Sequence, residues 1–212
     1  MPTVYGTASS VSGAILDGAQ VLIKNEKFED LYTASTDGQG EYSIEVNAGE
    51  YYAMAIVKDY MTRFLEYWAW DVPIFEDVEI NARLGGLEVY GVNTFRVQGA
   101  WPSIFVYFRP MSLQRHRESG QHTERDAAST IIDISPNLVE DDIQIVIENQ
   151  PVRVVQVNKV VERAGGDALY AYLVQAAIPS VRRPCDRLRV DIEVTDRQTG
   201  ERGEATVFNP LQ

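Results

Sequence analysis

The feature that most restricts this chain is a period of two. "AQVLIK" sets Ala19, Val21 and Ile23 on one face, and "EYSIEV" sets Tyr42, Ile44 and Val46 together. "YYAMAIV" continues after the turn "NAGE" at 47–50, and "DIQIVIEN" turns Ile143, Ile145 and Ile147 inward. In "RLRVDIEV", Leu188, Val190, Ile192 and Val194 alternate with Arg187, Arg189, Asp191 and Glu193. Successive side chains of an extended chain point to opposite sides, so such alternation buries one face of an antiparallel sheet. Turn-forming clusters part the runs at "LDGA" (16–19), "TDGQGE" (36–41), "ENQP" (148–151), "RAGGDA" (163–168) and "RQTGE" (197–201). No stretch carries a capped apolar stripe at helical spacing. The pattern predicts an all-β protein of sandwich type.

With 212 residues there is room for two such units. Gly85 and Gly86 in "NARLGGLEVYG" separate two strand-like runs, which places one domain over 1–84 and a second over 85–212. The longest non-periodic stretch, "QRHRESGQHTERDAAS" (114–129), reads as an exposed loop of the second.

Composition then narrows the function. A net charge of −12 argues against nucleic acid and anionic membrane surfaces as partners, because both need a basic face. No apolar run approaches the 18 residues of a membrane span, and no membrane insertion is expected. A single cysteine, Cys185, permits no internal disulfide. The opening "MPTVYGTASS" shows no signal peptide. The expectation is a chain made in the cytosol and delivered to a virion or extracellular assembly.

"VYGTASSVSGAILDGAQVLIKN" followed by "STDGQGEYSIEVNAGEYYAMAIVKDY" resembles the carboxypeptidase regulatory-like domain, a small prealbumin-like (transthyretin-like) sandwich. The matching positions are Gly6, Gly18-Ala19, Val21, Ile23, Thr36-Asp37, Gly40, Tyr42, Gly49 and Tyr51, with Ala48 where the pattern has proline. The resemblance covers about the first 60 residues and implies a prealbumin-like fold for the first domain. The second domain has only an immunoglobulin-like cadence. The modules of this family accompany peptidases, adhesins, receptors and virion proteins, so the resemblance implies no single activity. At "TDGQGE", Asp37 can bond backbone amides while Gly38 and Gly40 take positive φ. The rival, a calcium loop, would have only Asp37 and Glu41 as charged ligands.

Catalytic groups are scarce. His116 and His122, with Glu118 and Glu124 nearby, do not make up a compact zinc ligand set. "HTE" and "PC" echo a zinc deaminase, but Leu188 stands where the second cysteine would be. A nucleophilic Cys185 would need one of the two histidines. Asp141 and Asp142, adjacent at a strand start, should point to opposite faces. The chain reads as a non-enzyme without catalytic residues, cofactor or metal.

The aromatic residues are more informative. In "RFLEYWAWDVPIF" (63–75), Phe64, Glu66, Trp68 and Trp70 share one face while Leu65, Tyr67 and Ala69 share the other. In "VQGAWPSIFVYFRPMS" (97–112), Ile104, Val106 and Phe108 oppose Phe105, Tyr107 and Arg109, and Trp101 stands just before them. A sandwich sheet has one core side, so one row in each segment must face the seam between domains, a partner or a sugar. The candidate binding residues are Trp68, Trp70, Tyr67, Trp101, Tyr107 and Arg109. The reading is a structural or interaction subunit that touches protein partners or copies of itself. The alternative is a carbohydrate-binding module, with the tryptophans exposed and Glu66 or Asp71 bonding glycan hydroxyls.

Overall fold

The computed structural model describes residues 1–97, 102–119, 125–126, 129–130, 133–164, 167–179 and 187–210. Its strands, in order, are β1 (Thr3–Ser10), β2 (Gln20–Lys24), β3 (Asp30–Ser35), β4 (Glu41–Glu45), β5 (Gly49–Val57), β6 (Tyr67–Ile74), β7 (Val78–Glu79) and β8 (Ala82–Leu84). They continue with β9 (Leu87–Phe95), β10 (Ser103–Ser112), β11 (Arg125–Asp126), β12 (Ser129–Thr130), β13 (Ile143–Ile147) and β14 (Gln150–Val152). The last are β15 (Val154–Ala164), β16 (Asp167–Ala177), β17 (Arg187–Thr195) and β18 (Arg202–Pro210).

The protein is all-β, as the alternation predicts, and its sheets stack as two sandwiches around two apolar clusters. The first cluster lies between β4-β1-β7, with β8 alongside, and the β6-β5-β2-β3 part of a long sheet; it holds Val4, Val21, Ile23, Tyr42, Ile56, Tyr67 and Ile80. The second lies between the β15-β16-β10-β9 sheet and the β14-β13-β17-β18 part of that long sheet. It holds Ile104, Val106, Phe108, Tyr172, Ile145, Val190 and Ile192.

The long sheet is continuous. Its order is β14-β13-β17-β18-β6-β5-β2-β3, and the join is a parallel pairing of β18 with β6, Ala205 to Trp68, Thr206 to Ala69 and Val207 to Trp70. Strands from both sides of residue 85 therefore share one hydrogen-bonded ladder. Around this join the backbones cross at contact distance. A Cβ built on Gly85 would stand 2.0 Å from the Arg202 carbonyl oxygen, and one on Gly203 would stand 2.0 Å from that of Leu87. The glycines that read as punctuation between domains serve here as a close backbone crossing.

The two-sided apolar character of 63–75 has a local cause. Trp68 and Trp70 face the second cluster and Tyr67 and Ala69 the first, but beyond Asp71 it is Val72 and Ile74 that face the first. The parity reverses at Asp71, whose φ of +53° is left-handed, opposite Tyr52 on β5. One irregular residue in each strand re-aims everything after it, as a bulge does.

At the 36–41 turn, Asp37 Oδ1 accepts the backbone N–H groups of Gln39 (3.0 Å) and Glu41 (2.9 Å), and Gly40 has φ +76°. Gly38 is not among the residues of positive φ. The turn reading accounts for Asp37 fully.

Two expectations need correction. Part of the 114–129 loop is helical: α1 spans Leu113–Ser119. Ser112 Oγ accepts the Arg115 N–H at 3.0 Å, so a serine cap starts the helix. The Arg115 guanidinium anchors it to buried Asp196 at 2.9 Å. Burial alone would raise the Asp196 pKa, but the Gln198 N–H and Arg115 hold it below the usual carboxylate value. Asp141 and Asp142 are not at a strand start; they lie in a 3₁₀ turn, Glu140–Asp142, and both reach the Arg197 guanidinium, at 3.7 and 2.5 Å.

Candidate functional site

The aromatic residues singled out by parity go to three places. Trp68 and Trp70 are neighbours two apart on β6, so they project from the same face and stack on each other at 5.1 Å. Phe28 and Tyr90 meet both indoles edge-on, with centroids 5.3–6.4 Å away, and Tyr52 meets Trp70 at 5.8 Å. Edge-to-face packing of this kind is the favoured aromatic geometry. Both indoles are only 5% exposed. That corrects the carbohydrate alternative for Trp68 and Trp70, whose ring faces are covered by each other and by neighbouring rings.

Tyr107 and Arg109 join the same cluster from β10. The Arg109 guanidinium lies 4.8 Å from the Tyr90 ring centroid and 3.5 Å from the Glu162 carboxylate. The Tyr107 hydroxyl donates to Glu162, and burial followed by that bond pushes its pKa up to about 12. Contact therefore runs unbroken from Phe28 and Tyr52 through Trp68–Trp70 and Tyr90 to Arg109, Glu162 and Tyr107. This ridge crosses from strands before residue 85 to strands after it. Tyr67 is elsewhere. Buried on the opposite face of β6, its hydroxyl donates to Thr206 at 2.7 Å while Thr206 donates to Asp191 at 2.6 Å, a second tie across the β6–β18 join. Trp101, Cys185 and His122 lie outside the described residues.

One carboxyl sits inside the ridge. Glu88, 2% exposed, accepts the Trp68 indole N–H at 2.9 Å through Oε1, while its Oε2 is buried without a hydrogen-bond partner. Burial raises its pKa to about 8, and nearby Glu66 adds to the rise. Glu66, the candidate hydroxyl-bonding group, has its own pKa raised by burial. Glu88, Phe28, Tyr52 and Tyr90 were not singled out in the sequence. Phe28 stands alone in a turn, with φ +61°, and no periodic pattern marks it.

The outer face of the β15-β16-β10-β9 sheet presents a further aromatic patch. Phe95 and Phe105 pair across strands and stack at 5.3 Å, with Phe95 44% exposed. Half-buried Tyr107 follows Phe105 on that face and pairs with Leu173.

Clefts flank the join. One of about 600 Å³ is lined by Pro73, Phe75, Val78, Phe208, Arg187 and Glu50 among others. Another, of about 200 Å³, lies over Tyr67, Arg83, Asp191 and Glu204. Among the described residues no group of three His, Cys, Asp or Glu side chains could hold a metal ion, and no helix is long and apolar enough to cross a membrane.

No family model matches the chain, and no curated protein matches it. Among solved structures it is similar to a DUF3823 family protein from Bacteroides ovatus, at 11% identity over 100% of both chains with a TM-score of 0.34. It is also similar to BcpA, the major pilin subunit of Bacillus cereus, at 11% identity over 98% of this chain and 69% of that one, with a TM-score of 0.30. A third is the major pilin SpaD from Corynebacterium diphtheriae, at 9% identity over 97% and 65%, with a TM-score of 0.27. Similarity at this level carries neither an activity nor a partner to this chain.

Proposed function

We propose that this protein is a non-catalytic structural or interaction subunit that works through contacts of its sheet surfaces within a larger assembly such as a surface filament, a virion or an attachment apparatus. In this reading a carboxypeptidase regulatory-like unit over 1–84 and an immunoglobulin-like unit over 85–212 share the central sheet. The observation that supports it best is the Phe95–Phe105 stack on the outer face of the β15-β16-β10-β9 sheet. Aromatic side chains displayed on a rigid sheet are what protein interfaces use as anchors, because they bury large areas at little cost in side-chain entropy.

Sedimentation equilibrium over a wide concentration range tests the reading directly. The wild-type chain should reach masses above the 23.8 kDa monomer. Phe105→Glu should return it towards monomer, with a dissociation constant weakened at least tenfold, roughly the 1.4 kcal/mol that removing one interface anchor costs. A wild type that stays monomeric at every concentration, or a Phe105→Glu variant that associates equally well, contradicts self-association through this face.

A further inference from the structure

We propose that the joint between the two sandwiches is gated by a proton on Glu88. Glu88 is on β9, where the chain has just crossed Arg202 and Gly203, and its carboxyl reaches the Trp68 indole on β6. A carboxylate this deeply buried needs full pairing to carry charge, and one oxygen has no partner. The cation that acts on it, Arg109, does not supply that partner. Arg109 is drawn to the Tyr90 ring and to Glu162, and its Nε is itself buried without a hydrogen bond.

Among the described residues, few charged and titratable groups surround Glu88. Tyr60 and Glu66 come from the segment between β5 and β6, Tyr90 from β9 and Arg109 from β10. Arg117 of α1 donates to the Thr62 carbonyl, and Glu201 accepts from Ser112 and the Gln114 N–H. Glu66 disfavours charge on Glu88, while the Trp68 indole, the Glu66 backbone N–H and Arg109 favour it only in part. The neutral acid suits this joint.

Below about pH 4.5 the carboxyl is protonated in both folded and unfolded chains and does not penalise folding. Between there and about pH 8 the unfolded chain releases the proton while the folded chain holds it, so stability falls as pH rises. Above that window ionisation places a charge against the Trp68–Trp70 stack, and the joint loosens.

Near-ultraviolet circular dichroism of the full chain between pH 6 and 9 reads that stack, with the thermal midpoint measured alongside. The wild type is expected to show a one-proton transition with a falling midpoint temperature, and Glu88→Gln to abolish it. Glu66→Gln should move the transition to lower pH and Arg109→Gln to higher pH, which keeps the test available if Glu88→Gln folds poorly. A flat wild-type profile, an unchanged transition in Glu88→Gln, or a transition that neither neighbouring substitution moves would overturn the proposal.

Discussion

Alanine at Gly203 is expected to destabilise the protein by roughly 3 kcal/mol or more, near the upper end of what overpacking costs. The added methyl would stand 2.0 Å from the Leu87 carbonyl oxygen and 2.6 Å from its carbon. Those are backbone atoms at the crossing of β9 over β18, so no side-chain rotation relieves the clash. Gly85→Ala meets the Arg202 backbone in the same way and should behave alike. Gly38→Ala is the control: nothing lies within 4 Å of its new Cβ, so a change within about 0.5 kcal/mol is expected. Equilibrium urea unfolding of the three variants measures the contrast. Near-wild-type stability in Gly203→Ala would mean that the two strands do not cross in contact.

Trp68→Ala should cost about 3–5 kcal/mol, the usual range for removing a large buried aromatic. Three losses coincide there. The stack with Trp70 goes, the edge contacts with Phe28 and Tyr90 go, and Glu88 loses its indole donor. Trp68→Phe keeps an aromatic body without the N–H and should recover part of the stability. If Trp68→Ala unfolds at wild-type urea concentrations, the indole does not hold the seam.

Much of this architecture was legible in the chain. Alternation marked the strands because each has one buried face, as β17 does with Leu188, Val190, Ile192 and Val194 inward. Asp37 announced its turn because the bonds that make the turn are local. The double-sided apolar run at 63–75 correctly required a second covering surface. Nothing local identified that surface, because it is built by β9 and by β18, whose Ala205–Val207 rungs meet Trp68–Trp70 from 137 residues away. Parallel pairing at such separation leaves no periodic mark. The parity switch at Asp71 was hidden for another reason: a left-handed aspartate looks like any other polar position in a strand. Glu88 was passed over because a buried acid in an alternating run reads as an outward one until its neighbours are known. The helix Leu113–Ser119 was missed because only Leu113 is buried, leaving no apolar stripe to detect.

The two sandwiches should behave as one body, since they share a sheet, an aromatic ridge and a backbone crossing. In the proposed role that rigidity would hold the Phe95–Phe105 patch in a fixed relation to the rest of the molecule. Native-state hydrogen exchange at the Trp68–Trp70 and Ala205–Val207 amides tests the shared join most directly. Those that bond across β6 and β18 are expected to exchange only through global unfolding, with the same free energy and denaturant dependence as amides in the centre of β5 and β17. Exchange through a cheaper opening, while β5 and β17 stay protected, would show two independent units touching at a hinge.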